Sequence, residues 1–468
     1  MKQQNQENPN MQNELVSEYE AMSQKGTVGF YEEAVFLKLI AHYQNSELYG
    51  KAIEVVDHAI IQHAFSSTFH KKKAQLLLEK GCATQALTCL DQAELFNPSE
   101  FDTIILRVES LNMLGYYEEA YAILNQLEAQ ATKTELSEIY LSKAILHESK
   151  QQFKSMFIAL NKSILFDPGN VDALERIWFS VGMSRCFDQS IILHKKLIDI
   201  DPYNYVAWYN LGYSYEAIDD YKNAADAYEY AYIIDNQFEF AYRDCAYACM
   251  QLGQYRRALE CYKEVLEFIK PDSDILMNIG NCLEELDDFP KAKAFYLKAI
   301  HLDPQNDFVY FRLGECYSKE QKWLSAIAAY EKAISIEELK EEYFTALGAC
   351  YFQIKENETA EDYFQRATEI APEISDCWIQ YTLFLLETGE VEKALEVIEE
   401  AQSYSYGVEL AYCKVACQLA NGNRSEGLSF LHDTLLENDF TVEGIFTFLP
   451  DFTADAEILS IIAINKRN

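Results

Sequence analysis

Apolar positions along the chain recur at helical rather than strand spacing. From residue 205 onward, bulky, small and aromatic side chains follow a fixed order that returns at residues 273 and 307. The three copies read Trp208, Leu211, Gly212, Tyr215, Tyr221, Ala224, Tyr228, Ala231; Leu276, Ile279, Gly280, Leu283, Phe289, Ala292, Tyr296, Ala299; and Tyr310, Leu313, Gly314, Tyr317, Trp323, Ala326, Tyr330, Ala333. The repeat length is therefore 34 residues, which indicates stacked helical repeats.

Extending this register predicts twelve repeats over residues 33–442, with a slip of two residues near 129–134. The predicted repeats begin at residues 33, 67, 101, 137, 171, 205, 239, 273, 307, 341, 375 and 409. Residues 1–32 are predicted to be a polar, partly disordered segment that gains helix near Leu15–Phe36. Residues 443–468 are predicted to form a C-terminal capping helix that covers the end of the stack.

Small residues recur at two positions of the repeat, and they explain how its two helices pack. Gly or Ala at the eighth position and Ala at the twentieth let two antiparallel helices approach closely. Gly115 and Gly253 fall between the two helices of a repeat, where a turn is needed. Trp178 replaces the small eighth residue of the fifth repeat, and Met156 and Ser190 replace Ala in the fourth and fifth. We therefore expect local distortion of the fourth and fifth helix pairs.

The order bulky–Leu–Gly–Tyr…Ala…Tyr…Ala…Pro resembles the tetratricopeptide repeat family. The resemblance extends over nearly nine-tenths of the chain, in about twelve units of near-constant register. It implies an all-α fold, a right-handed α-solenoid of antiparallel helix pairs. The first helix of each pair would then line the concave surface of the superhelix.

The same resemblance predicts where a partner would bind. In this family, the concave side chains come chiefly from positions 2, 5, 9 and 12 of the first helix. In the central repeats these positions hold Glu175, Phe179, Tyr209, Tyr213, Glu216, Arg243, Tyr247, Met277, Asn281, Glu284, Phe311 and Glu315. Tyr, Phe, Met and Arg are enriched at binding hot spots, although the tyrosines also fit ordinary repeat composition. Both interpretations stay open at this point.

Motifs of catalytic or metal chemistry are missing from the sequence. The eight histidines and twelve cysteines form no zinc-spaced cluster, and there is no Gly-rich phosphate loop or nucleophile elbow. Cys282, Cys316 and Cys350 share one repeat position and are expected in the core. Cys413 and Cys417 are expected on the concave face, as the cysteines best placed to react. We predict no enzyme activity, no cofactor and no metal.

Charge narrows the class of partner further. The chain has 39 basic and 75 acidic residues, a net charge of −36, and residues 201–468 hold 49 of the acidic residues against 21 basic ones. Such a molecule repels nucleic acid and anionic membranes, and the basic cluster at residues 71–73 reads as solvated helix surface. No signal peptide or membrane-spanning stretch is visible, which with the cysteine content favours a cytoplasmic protein.

These observations predict a non-enzymatic scaffold that binds a basic or neutral peptide or helical segment of a partner protein in its concave groove. A self-associating, structural subunit of a larger complex is the second interpretation. A nucleic-acid-associated repeat factor, acting through residues 71–73, is the third.

Overall fold

The structure is a computed structural model that describes residues 9–24, 29–268, 270–437, 445–448 and 453–465. Within these ranges the chain forms helices and no strands, which confirms the predicted all-α class. It divides into two compact units, Met1–Cys245 (the N-terminal unit) and Ala246–Asn468 (the C-terminal unit).

Helices of the N-terminal unit follow one another with short turns between them. They are α1 (Pro9–Gln24), α2 (Glu33–Asn45), α3 (Tyr49–Gln62), α4 (Ser67–Glu79), α5 (Ala83–Phe96), α6 (Phe101–Met113), α7 (Tyr117–Glu128), α8 (Lys133–Ser149), α9 (Phe153–Phe166), α10 (Val171–Ser184), α11 (Phe187–Ile200), α12 (Tyr205–Glu216) and α13 (Tyr221–Ile234). The division between the two units falls within α14 (Glu239–Gln251).

The C-terminal unit continues the same alternation. Its helices are α15 (Tyr255–Phe268), α16 (Ser273–Glu285), α17 (Phe289–Leu302), α18 (Asp307–Lys319), α19 (Trp323–Ile336), α20 (Glu341–Gln353), α21 (Asn357–Ile370), α22 (Ser375–Thr388), α23 (Val391–Tyr404), α24 (Val408–Ala420), α25 (Arg424–Glu437), α26 (Ile445–Phe448) and α27 (Ala456–Asn465). We call the even-numbered helices from α2 to α24 the A helices, and the odd-numbered helices from α3 to α25 the B helices.

Each A helix precedes a B helix, and consecutive helices pack against one another from α2 to α13 and from α15 to α25. Because the turns are short, paired helices run antiparallel. The residue in the turn between the A and B helices has a positive φ at Glu47, Gly81, Gly115, Gln151, Arg185, Asp219, Gly253, Asp287, Gln321, Lys355, Gly389 and Gly422. This left-handed residue ends the A helix and turns the chain into the B helix.

The small residue at the eighth position faces an aromatic ring of the paired B helix. A Cβ atom added to Gly280 would lie 2.4 Å from Cε1 of Tyr296, and one added to Gly314 would lie 2.4 Å from Cε1 of Tyr330. Both tyrosines are buried. The glycine therefore makes room for a ring between the two helices, as the repeat pattern predicts.

The fourth pair is packed normally, so the expected distortion there is wrong. Met156 is fully buried between α8 and α9, because a flexible thioether side chain fits where Ala stands elsewhere. The helix α8 begins at Lys133, ahead of the predicted repeat start at residue 137. Thr132 and Glu135 form a capping box there, which satisfies the free N–H groups at the start of the helix.

The fifth pair does depart from the others. Helix α10 packs mainly against α9 and α12, and it makes few contacts with its own partner α11. Trp178 points outward and is 47% exposed, since no ring of its size fits between paired helices. In the interior, Ser190 lies 2.7 Å from Ser214, and His194 Nδ1 lies 2.8 Å from the carbonyl oxygen of Ser190. Burial lowers the pKa of His194 to about 4, so the ring is neutral.

Additional helices cover both ends of the described repeats. In α1, Tyr19 is buried and its hydroxyl lies 2.6 Å from Nδ1 of His58. Helix therefore begins earlier than predicted, and residues 29–32 are not helical. Of the segment 1–32 that was predicted to be partly disordered, residues 1–8 and 25–28 lie outside the described residues. At the other end, Ile458 and Ile462 of α27 are buried in a cluster with side chains of α24 and α25.

No helix in the described ranges has both the length and the apolar character required to cross a membrane.

Candidate partner-binding surface

An exposed group of aromatic rings lies on the N-terminal unit where α10 separates from α11. Phe179 lies edge-on to Phe153 and to Trp178, with ring centroids 5.6 and 6.0 Å apart, and Trp178 lies 6.1 Å from Tyr213. We call these four residues the aromatic patch. Phe153, Phe179 and Tyr213 are partly exposed, and their inner edges pack on the buried cluster that extends from α8 to α12. The patch is thus a rigid, accessible apolar surface.

Tyr209 and Glu216, two other predicted groove residues, belong to a polar cluster beside the patch. The hydroxyl of Tyr209 donates to Oδ2 of Asp244 at 2.6 Å, and that of Tyr228 donates to Oε2 of Glu216 at 2.7 Å. Burial, with a smaller effect of the Asp244 charge, raises the pKa of Glu216 to about 7. Burial also raises the pKa of Asp244, against the effects of Tyr209 and Arg243. This cluster changes charge near neutral pH.

Glu175 and Arg243, the remaining predicted residues of the N-terminal unit, lie in different settings. Glu175 is exposed on the first turn of α10. Arg243 is partly exposed, and its positive charge lowers the pKa of the neighbouring Asp244.

In the C-terminal unit, Asn281 and Glu284 converge on one tyrosine. The hydroxyl of Tyr296 lies 2.7 Å from Oδ1 of Asn281 and 2.8 Å from Oε2 of Glu284. Glu284 is also paired with Arg312 at 3.1 Å and is only 1% exposed. Its predicted place on an open surface is therefore wrong, because the Arg312 guanidinium covers its carboxylate.

Phe311 and Glu315 converge in the same way one repeat later. Glu315 accepts a hydrogen bond from Tyr330, and the Phe311 ring lies 5.6 Å from Tyr330 and 4.9 Å from Tyr343. Met277 is partly exposed, and Tyr247 is 42% exposed. At the predicted groove positions, the C-terminal unit thus presents mostly polar groups held by buried tyrosines.

Sequence reasoning missed several contributors to these surfaces. Trp178 stood out as a break in the repeat pattern, and that break was the available signal for an exposed ring. Asp244 and Arg312 lie outside the four positions taken from the family, so no periodic pattern singled them out. Both are defined only by their contacts with Tyr209 and Glu284.

The cysteines expected to be reactive are not. Cys413 and Cys417 are fully buried; burial raises the pKa of both thiols, that of Cys417 to about 12. A buried thiol with a raised pKa is a poor nucleophile. Cys282, Cys316 and Cys350 are buried in the core, as predicted.

Two of the three lysines at residues 71–73 form ion pairs within the chain, and Lys72 donates to Gln75. Lys71 pairs with Glu100 and lies 3.3 Å from Asp102, and Lys73 lies 2.6 Å from Asp57. These contacts give the cluster a structural role. In the described part of the chain, no group of three or more His, Cys, Asp or Glu side chains is arranged to hold a metal ion.

Comparison with family models places repeats directly in this chain. Three models, each described as a tetratricopeptide repeat, match residues 273–306, residues 295–328, and residues 205–237, 245–270 and 341–374. No curated protein matches the chain significantly.

Several solved structures are similar over parts of the chain. YrrB, described as a TPR protein with an unusual peptide-binding site, is 19% identical, with 39% of this chain and 95% of YrrB covered and a TM-score of 0.34. The APC/C hetero-tetramer Cut9–Hcn1 is 15% identical, with 87% and 94% covered and a TM-score of 0.39. A tetratricopeptide repeat protein from Parabacteroides merdae is 15% identical, with 54% and 99% covered and a TM-score of 0.39. At such scores, none of these likenesses identifies a ligand.

Proposed function

The chain belongs to the tetratricopeptide repeat family, and from that premise we propose that it is a non-enzymatic scaffold that binds a segment of a partner protein. The twelve predicted repeats would present side chains of successive A helices to an extended or helical segment. Because a surface of this kind is already ordered before the partner arrives, binding does not cost conformational entropy of the scaffold. We propose a cytoplasmic location, to which a chain with twelve cysteines and no disulfide among its described residues is suited.

The aromatic patch is the observation that carries this proposal. Large rings that are accessible on one side and fixed on the other lose little side-chain entropy when a partner covers them. Trp178 also breaks the repeat pattern, so ordinary repeat composition does not account for its exposure. Tyr209, by contrast, holds the buried carboxylate of Asp244 and has a structural explanation.

Charge supports a basic or neutral partner segment. The chain carries −36 overall, and exposed Glu175 lies on the same helix as Trp178 and Phe179. A basic segment would be attracted from a distance and would bind less tightly as salt increases.

Affinity capture from a lysate of the native cells tests the proposal. Tagged wild-type protein would be compared with the double variant Phe179→Ala/Tyr213→Ala, which removes two rings of the aromatic patch. We expect at least one partner recovered with the wild type to be reduced about tenfold or more by the double variant, since hot-spot truncations cost about 2 kcal/mol. Quantitative mass spectrometry would measure the recovery.

Phe65→Ala/Tyr203→Ala is the matched control, because it removes one Phe and one Tyr that are exposed away from the patch. It should retain the wild-type partners. Circular dichroism and denaturation midpoints would show that both variants are folded. Equal recovery of every partner by the wild type and by Phe179→Ala/Tyr213→Ala would rule out the aromatic patch as the binding surface.

A further inference from the structure

A cavity of about 420 Å³ opens on the C-terminal unit between α21, α22 and α23. Trp378 and Tyr404 form its aromatic wall, with nearly parallel rings whose centroids are 6.0 Å apart. The carboxylates of Glu369, Glu396 and Glu400 line the same cavity. We call these five residues the Trp378 pocket. Tyr404 is 54% exposed, so its ring is open to a ligand.

The only lysine or arginine among the described residues that line this cavity is Lys393, and it is already engaged. Its ammonium pairs with Glu361, a carboxylate that also accepts a hydrogen bond of 2.8 Å from Tyr381. Glu369 accepts a neutral hydrogen bond from Gln365 at 3.0 Å. The charge of Lys393 also acts on Glu396, but this one lining cation is shared with Glu361, and the three carboxylates of the pocket outnumber it.

The N-terminal unit contains an equivalent cavity in which the chain supplies its own cations. Tyr140 and Phe166 lie 238 residues before Trp378 and Tyr404, which is seven repeats of 34, and their rings are likewise stacked, 5.7 Å apart. Here the ammonium groups of Lys143 and Lys162 lie 5.1 and 4.8 Å from the centroid of the Tyr140 ring. This aromatic pair is thus already covered by positive charge.

In the Trp378 pocket the two places that correspond to Lys143 and Lys162 hold no cation, and the pocket's Lys393 corresponds to Ser155 instead. Lys143 is replaced by Tyr381, and Lys162 by Glu400. Within the described residues no lysine or arginine lies over the ring of Trp378 or of Tyr404. Ammonium groups therefore cover the stacked aromatic pair of the N-terminal unit but not the pair of the C-terminal unit. There, Glu400 takes the place of Lys162.

We propose that the Trp378 pocket binds a cationic side chain, best an arginine, from a basic segment of a partner protein. The planar guanidinium would stack on the exposed face of Tyr404 and pair with Glu396 and Glu400. Arg suits this site because it combines aromatic stacking with charge-assisted hydrogen bonds in one rigid group. This inference rests on the proposed function, since it names one side chain of the partner segment. The site lies on other helices than the aromatic patch, so its test can fail while the patch still binds, and the reverse.

An NMR titration of the full chain with N-acetyl-arginine amide tests the site directly. The ¹H–¹⁵N signal of the Trp378 indole, assigned with Trp378→Phe, would report binding, since its N–H donates to the carbonyl oxygen of Pro372 beside the cavity. We expect a saturable shift with the wild type. N-acetyl-citrulline amide, which has the same shape without the charge, should produce none.

Two double Glu→Gln variants on α23 distinguish binding in the Trp378 pocket from attraction to the acidic surface in general. Glu396→Gln/Glu400→Gln should raise the dissociation constant for the arginine amide about threefold or more. Glu392→Gln/Glu399→Gln removes the same charge from exposed residues outside the pocket and should leave that constant unchanged. All four side chains are exposed, so the variants should fold.

Three results would overturn the proposal: no saturation with the wild type, equal shifts with citrulline, or equal weakening by the two double Glu→Gln variants. The last would assign the attraction to the acidic surface as a whole. Tyr404→Ala provides a second criterion, because it removes the stacking face and keeps every charge. Unchanged affinity in that variant would also exclude the site.

Discussion

At the scale of single residues, the helix pairs depend on a glycine that faces a tyrosine ring. The sequence predicted that small residues at the eighth position allow close approach, and the short distances at Gly280 and Gly314 confirm it. The hydroxyl partners of those tyrosines could not be predicted. Tyr296 donates to Glu284, whereas Tyr330 donates to Glu315 at a different repeat position, so the partner depends on the local neighbours of each ring.

Gly280→Ala should destabilise the protein by about 1–3 kcal/mol, the usual cost of overpacking a core. The added methyl group would lie 2.4 Å from Cε1 of the buried Tyr296 ring, so the ring or the helix backbone would have to shift. Gly50→Ala is the control, because a Cβ there meets nothing within 4 Å and Ala favours the helix by about 0.5–1 kcal/mol. Urea unfolding would measure both. Equal effects of the two substitutions would contradict the packing argument.

Glu216 should make the stability of the N-terminal unit depend on pH. Its pKa is about 7 in the folded protein and 4.5 in the unfolded reference, so the folded state favours the protonated form. The stabilisation is complete below the unfolded pKa and is lost as pH rises through the folded pKa. We therefore expect Glu216→Gln to unfold at higher urea concentration than the wild type near pH 8, with a smaller difference near about pH 5.5.

Asp199→Asn supplies the control for this pH effect, because it neutralises an exposed carboxylate of the same unit. Its urea midpoint should follow the wild type at both pH values. A Glu216→Gln midpoint that runs parallel to the wild type across the range would show that Glu216 does not titrate near neutrality.

At the scale of helices and turns, the sequence predicted where the helices lie. It predicted only some of the places where a helix pair departs from the repeat pattern. Trp178 correctly marked a disturbed fifth pair, since a large rigid ring cannot enter the helix interface. Met156 wrongly marked the fourth, since flexibility matters as much as size. Helix α8 starts early because of the capping box at Thr132 and Glu135, a local motif that the 34-residue register does not contain.

Substitutions of the turn residue between the A and B helices should change stability in opposite directions at two different turns. Lys355 has φ of 70°, where side chains with a Cβ are strained, and Lys355→Gly should stabilise the protein by about 1 kcal/mol. Gly115 has φ of 80°, and Gly115→Ala should destabilise it by a similar amount, about 1 kcal/mol. A Cβ on Gly115 meets nothing within 4 Å, so the expected cost there comes from the backbone conformation and not from crowding. Thermal and urea unfolding that shift in the same direction for both variants would contradict this account.

At the scale of the whole molecule, periodicity predicted the fold class and the helix-pair organisation because each repeat obeys the same packing rule. The candidate partner-binding surface was less predictable from the sequence. Phe179 and Tyr213 lie on an exposed surface, but Glu284 is covered, because an arginine one repeat later reaches back to it. Such contacts between neighbouring repeats depend on side-chain identity at both places, which a position-by-position reading does not capture.

The excess negative charge should make the fold more stable as salt increases. With a net charge of −36, the acidic side chains repel one another, and salt screens this repulsion over distances beyond about 10 Å at 0.1 M. Salt also weakens ion pairs, but exposed pairs contribute only about 0–1 kcal/mol each, so the loss of repulsion should dominate. We expect the melting temperature to rise between about 20 mM and about 300 mM sodium chloride.

Choline chloride at equal ionic strength should act equally, because screening does not depend on the cation. A rise with sodium alone would indicate ion binding, and a fall with both salts would show that ion pairs outweigh the repulsion.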